Sequence, residues 1–131
     1  MLARRRARSA KAAVPLVDDA PRCRRVVREL LERRGYAIAG EASCAASAID
    51  SVERLAPAAA LVDIHLPDAT GFEVAARLTE AHPELAVLLT SFDFDRQFYA
   101  LADVSGARGF VPKDQLALVE FAFFWPGIDG G

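Results

Sequence analysis

The sequence predicts an α/β fold: a doubly wound sheet of five parallel strands with helices on both faces. Three observations carry this. Five short apolar runs lack the polar alternation of a sheet with one wet face. Segments of helical period separate them. The chain's 131 residues, 53% hydrophobic and 26% charged, suffice for one packed core without disulfide or metal staples.

Ala13 to Val17 (AVPLV) is the first strand and runs into Asp18-Asp19. Pro21 to Arg34 follows as a helix, since proline is tolerated in a first turn and Gly35 suits a left-handed cap. Its apolar face is Val26, Val27, Leu30 and Leu31, with arginines around the rest. Tyr36 to Ala42 is the second strand. Ala46 to Leu55 is the second helix, with Ala48, Ile49, Val52 and Leu55 at helical spacing. After Pro57, Ala59 to Val62 is the third strand, closing on Asp63.

Gly71 to Ala81 is the third helix, with Phe72, Val74, Ala75 and Leu78 on its apolar side. Leu85 to Leu89 is the fourth strand and ends in Thr90-Ser91. Asp95 to Val104 is a helix broken by Gly106. Phe110-Val111 is a short fifth strand ending near Lys113. Gln115 to Trp125 is predicted as a last helix, stopped by Pro126-Gly127. On it, Leu116, Val119, Ala122 and Phe123 form the face suited to the sheet, while Leu118, Phe121 and Trp125 fall opposite. A helix apolar all round is normally buried all round. The last two helices are therefore expected to form a partner or self-association surface, with Phe98, Tyr99, Phe121 and Trp125 in it.

The net charge of −2 hides an asymmetry. Arg4, Arg5, Arg6, Arg8 and Lys11 put five positive charges and no negative one in residues 1 to 11, leaving 11 basic and 18 acidic residues for the rest. Residues 1–12 are expected to be a solvated, disordered arm. The acidic body is a poor nucleic-acid binder, because phosphate neutralisation needs clustered cations. No apolar run approaches the roughly 18 residues of a membrane span. Cys23 and Cys44 sit at no metal or redox spacing, and a reducing, cytoplasmic home follows as the expectation. Residues 126–131 are too few for a second domain.

In a doubly wound sheet the carboxyl ends of the strands share one edge, where ligands bind. Here those ends carry Asp18, Asp19, Asp63, Thr90 and Lys113. Three neighbouring carboxylates repel unless a cation neutralises them. Oxygen-only ligands suit Mg²⁺, with Mn²⁺ as the alternative ion. With Lys113 and a hydroxyl from Thr90, the set can compensate a phosphoryl group in transfer. Asp63 would be the acceptor, forming an acyl phosphate.

Four motifs stand in order at these strand ends: LVDD (16–19), LVDIHLPDATGFE (61–73), LLTSF (88–92) and GARGFVPKD (106–114). With them the chain resembles the receiver (CheY-like) domain of bacterial two-component response regulators, from Ala13 to about Phe124. The resemblance implies a flavodoxin-like strand order, 2-1-3-4-5, over a receiver domain of residues 13–125. It implies that Asp63 takes a phosphoryl group from a histidine kinase or a histidine phosphotransfer protein. It further implies that Asp18, Asp19, Asp63 and the backbone carbonyl of His65 hold Mg²⁺, and that Lys113 binds a phosphoryl oxygen. Thr90 corresponds to the switch hydroxyl, and Phe110 to an aromatic that turns inward once Thr90 has moved. Gly71 fits the turn admitting the third helix.

Lys113 is followed by Asp114, with Pro112 before it, whereas many receivers place proline after the lysine. Phe92, two residues past Thr90, is bulky where water could approach, and is expected to slow loss of the phosphate. The function expected is that of a single-domain signalling switch rather than an enzyme. Two readings compete. A haloacid-dehalogenase-type phosphohydrolase shares the strand-end aspartate, but wants a second Asp where His65 stands. A phosphorylation-independent pseudo-receiver would not need the complete acidic set and Lys113.

Overall fold

The computed structural model describes residues 13–128; the basic arm and the last three residues of the tail lie outside them. Five strands form one parallel sheet: β1 (Ala13–Val17), β2 (Ala37–Ala42), β3 (Ala59–Asp63), β4 (Ala86–Ser91) and β5 (Gly109–Pro112). Their spatial order is β2-β1-β3-β4-β5, the order the resemblance implied. Between them run α1 (Pro21–Arg33), α2 (Ala45–Leu55), α3 (Gly71–Ala81) and α4 (Gln97–Val104).

Every residue of β3 and β4 is buried, which is why neither shows alternation in sequence. Pro15 cannot donate to a ladder, and the β1–β2 register shifts between Val14 and Pro15. The first three helix starts each have their own device. Pro21 occupies the first turn of α1. At α2, Cys44 is the N-cap, and Asp68 accepts from the Ala45 and Ala46 N–H groups at 2.7 and 3.1 Å. At α3, Thr70 and Glu73 form a capping box.

The core lies on both faces of the sheet. One side holds Ala48, Val52, Val74, Ala75 and Leu78 of α2 and α3 against the strands. The other holds Val27 and Leu31 of α1 with Tyr36, Leu116, Phe121 and Trp125.

The expected last helix, Gln115 to Trp125, is not formed. A 3-10 turn at Lys113–Gln115 is followed by turns and a single helical turn, α5 (Phe121–Phe124). A continuous helix would direct the Phe121 and Phe123 N–H groups to the carbonyls of Ala117 and Val119. Arg34 takes those two carbonyls with its guanidinium, and the Phe123 N–H donates instead to the Glu120 carbonyl. Part of the apolar pattern changes sides, while Leu116 is buried and Leu118 exposed, as expected. Phe121 and Trp125, expected outside, are 0% exposed, whereas Phe123, expected on the sheet, is 80% exposed. Phe121 stacks on Trp125 with centroids 5.2 Å apart, and Tyr36 meets both rings edge-on.

Candidate phosphoacceptor site

The carboxyl ends of β1, β3, β4 and β5 bring together Asp18, Asp63, Thr90 and Lys113. The Lys113 Nζ lies 2.6 Å from Asp18 Oδ2 and 2.7 Å from Asp63 Oδ2, with all three side chains nearly sealed from solvent. Asp19 is exposed, yet Asp18, Asp19 and Asp63 each bring an oxygen within 4.8 Å of the others.

Local backbone holds each group in place. Asp18 Oδ1 accepts from the Ala20 N–H at 2.9 Å. Arg24 donates to the Asp18 carbonyl at 2.6 Å, and its other edge pairs with Glu41 at 2.7 Å. Asp63 Oδ1 accepts from the His65 N–H at 2.9 Å. The loop after β3 closes through a bridge between His65 and Thr70, and the Gly71 N–H donates to the Ile64 carbonyl at 2.7 Å. A Cβ at Gly71 would stand 2.5 Å from the Asp63 carbonyl oxygen. Glycine is needed there because α3 starts against the backbone that carries the acceptor.

Burial pushes the Asp63 carboxyl above its ordinary value, although hydrogen bonds from Lys113 and the His65 N–H pull it down. Burial alone would lower the Lys113 ammonium. Its hydrogen bonds to Asp18 and Asp63 overturn that and hold it above its ordinary value. One ammonium thus faces three carboxylates and leaves negative charge uncompensated. An all-oxygen donor set of that charge fits a hard divalent cation such as Mg²⁺.

Thr90 is buried, and its Oγ1 donates to the Val111 carbonyl at 2.7 Å rather than toward Asp63. Phe110 is already inward at 3% exposure, so in this structure its position does not wait on Thr90. Phe98 and Tyr99 meet it at centroid distances of 5.3 and 5.6 Å. Phe98 is therefore partly core, while Tyr99 stays half exposed. Of the four residues expected at an interface, only Tyr99 offers a broad free surface, and Phe121 and Trp125 offer none.

Sequence reading missed two contributors. Arg24 locks the Asp18 main chain, and no local spacing links it to a carbonyl six residues back or to Glu41. The sequence shows the bulk of Phe92 but not its partner: the Lys113 Nζ lies 4.6 Å from its ring centroid. His65 extends its ring across the rim, with Nε2 2.9 Å from Asp93 Oδ2. No helix among the described residues is long and apolar enough to cross a membrane.

Comparison with known proteins agrees with this fold. The family described as response regulator receiver domain matches residues 14–120. The chain is 26% identical over 100 residues to chemotaxis protein CheY of Thermotoga maritima, covering 76% of this chain and 83% of that protein. It is 32% identical over 110 residues to protein-glutamate methylesterase/protein-glutamine glutaminase 3 of Hahella chejuensis, covering 78% of this chain and 30% of that protein. Of a Pseudomonas aeruginosa relative, 39% identical over 100 residues, it spans 48%. The chain thus spans about half or less of the length of these last two relatives. A solved LuxR-family two-component response regulator from Aurantimonas sp. SI85-9A1 superposes with a TM-score of 0.76 at 31% identity, covering 79% of this chain and 75% of that one. The strand order agrees with these matches, and the chain belongs to the response regulator receiver domain family.

Proposed function

We propose that Asp63 accepts a phosphoryl group from the phosphohistidine of a histidine kinase or histidine phosphotransfer protein, and that the phosphorylated chain signals by contact with another protein. The observation that carries this reading is Lys113, held at 2.6 and 2.7 Å between Asp18 and Asp63. An ammonium so placed neutralises the acceptor and then meets the incoming phosphoryl oxygens.

Asp18, Asp19 and Asp63, with the main-chain carbonyl of His65, would hold Mg²⁺ or Mn²⁺. When bound, the ion supplies positive charge against the phosphoryl oxygens. Asp63 attacks phosphorus, and the donor's P–N bond breaks as the new P–O bond forms. Lys113 then binds one phosphoryl oxygen. Thr90 gives up the Val111 carbonyl and donates to another.

That last exchange carries the signal outward. Thr90 is paired across the sheet with Val111, and Val111 follows Phe110, on which Phe98 and Tyr99 rest. Loss of the Thr90–Val111 bond therefore loosens the packing under α4. The surface offered to a partner or second copy is Tyr99, Leu101 and Val104 on α4, with Leu118 and Phe123 further on, all exposed. Phe121 and Trp125 stay in the core.

The test is incubation with Mg²⁺ and acetyl phosphate or phosphoramidate. A single acid-stable, base-labile phosphate that Asp63→Asn abolishes supports the proposal. Absence of the adduct, or its persistence in Asp63→Asn, overturns it.

A further inference from the structure

A cavity lies at the edge of the sheet opposite Asp63, where the strands begin. It measures about 430 Å³, and its walls include Val52 and Ala56 at the end of α2, Ala58 before β3, Ala81 and His82 at the end of α3, and Glu84 before β4. The carboxyl ends of α2 and α3 both meet it, and such ends carry partial negative charge. α3 has no basic residue in its last turn to offset this, and no described Lys or Arg lines the cavity. Glu84 adds a full negative charge. Neither it nor Glu53 and Glu80, each next in sequence to a wall residue, has an ion-pair partner among the described residues. The His82 Nε2 is shut from solvent and has no hydrogen-bond partner among them either. Buried polar atoms are nearly always paired, so this one points to a cover from outside the described residues.

We propose that the cover is the chain's own basic arm, residues 1–12, folded back onto this cavity in place of the solvated arm that composition alone suggests. β1 begins at Ala13. Its register with β3, Leu16 to Leu61 and Val17 to Val62, carried back along both strands, sets Ala13 level with Ala58, a wall residue. Neighbouring strands are about 4.8 Å apart, so the arm leaves the sheet one strand away from the cavity. Lys11 stands within about 7 Å of chain from Ala13, with Arg8 one short step behind. Their long stems suit an apolar wall, and their charged heads suit Glu84 and the helix ends. The arm carries five cations and no carboxylate, the complement of the charge around the cavity. This docking is independent of the phosphoacceptor proposal, since neither uses the other's residues.

The experiment has two parts, both on the full chain. A water-soluble carbodiimide joins an amine to a carboxylate in contact with it. Lys11 and Lys113 are the chain's lysines, and Lys113 is nearly sealed. The expected product is an intramolecular amide between Lys11 and Glu84, found by peptide mapping of the monomer. The second part follows limited trypsin cleavage after Arg8 and Lys11 by intact mass. Glu84→Lys is expected to speed these cuts roughly threefold to fivefold, the size of a surface ion pair. Ala81→Phe fills the cavity from α3 with every charge left in place, and is expected to speed them as well. Only cuts within the arm are counted, so a less stable domain does not mimic the effect. An unchanged rate in either variant, or Lys11 cross-links with no preference for Glu84, overturns the docking. So does a Lys11–Glu84 amide found only in cross-linked dimers, which would give the cavity to the arm of a second copy.

Discussion

The two faces of the sheet are built from different material. On one, α2 and α3 press Ala45, Ala48, Val74 and Ala75 against the strands, with Phe72, Phe98 and Phe110 packed into the same cluster, and both helices begin with side-chain caps. On the other, α1 shares the surface with a segment made mostly of turns, and the bulk comes from Tyr36, Phe121 and Trp125. Small side chains bury well only when a regular helix brings its backbone close. Large rings fill space wherever the backbone runs, so regularity is not demanded of it. The difference shows that one sheet can be closed by order on one side and by volume on the other.

The largest break in that comparison should come from Trp125→Ala, which empties the aromatic face. It is expected to cost about 3–5 kcal/mol and to lower Tm by about 10 °C or more, against roughly a third of that for Val74→Ala opposite. Equal losses in thermal unfolding would mean that the rings do not hold the irregular segment.

Lys113→Ala strikes the rim where the two faces meet. It leaves Asp18 and Asp63 buried without their ammonium, at a cost of about 3 kcal/mol near neutral pH. Added Mg²⁺ should recover much of this, so Tm with and without the ion is the measurement. A Mg²⁺ response no larger than that of the parent would count against the acidic trio as a cation site.

On the ordered face, Thr70→Ala removes half of the α3 capping box and should cost about 1 kcal/mol. Asp68 adds a pH signature. The Ala45 N–H first, then the Ala46 N–H, hold its carboxyl below the ordinary value. A lowered carboxyl lends stability that is present above the ordinary carboxylate range and lost as pH falls through the lowered value. Urea midpoints taken down through that acid range should therefore decline less in Asp68→Asn than in the parent. The smallest effect is expected on the aromatic side. Phe123→Ser alters a ring 80% exposed and should change stability by no more than about 0.5 kcal/mol. A larger loss in chemical unfolding would mean that its edge-on contact with Phe124, 5.2 Å between centroids, holds the segment.

The strands and the first four helices were legible because each follows a local rule, whereas the order of the strands came only with the family resemblance. Apolar runs such as Val87 to Leu89 mark buried strands, and Thr70 with Glu73 marks a helix start. The site was legible for a different reason: one charged residue after an apolar run is common, but four motifs in order at successive strand ends are not. The segment after Lys113 was illegible because its shape depends on Arg34, some 83 residues earlier in sequence, which takes the carbonyls a helix would use. Helical spacing correctly put Phe121 and Trp125 side by side, but could not say which way that pair would face. The direction was set by Tyr36, whose ring closes over both.

The contact between Asp18 and Lys113 spans 95 positions of the chain, and that distance has a consequence for how the protein comes into being. During synthesis the aspartates emerge early, and the lysine arrives only with the final strand. A nascent chain carries its acid cluster with no resident amine to quiet it, and closing so long a loop is a late event. On the proposed phosphoacceptor reading, competence to receive phosphate is thereby withheld from unfinished chains, and becomes a mark of molecules whose sheet is complete.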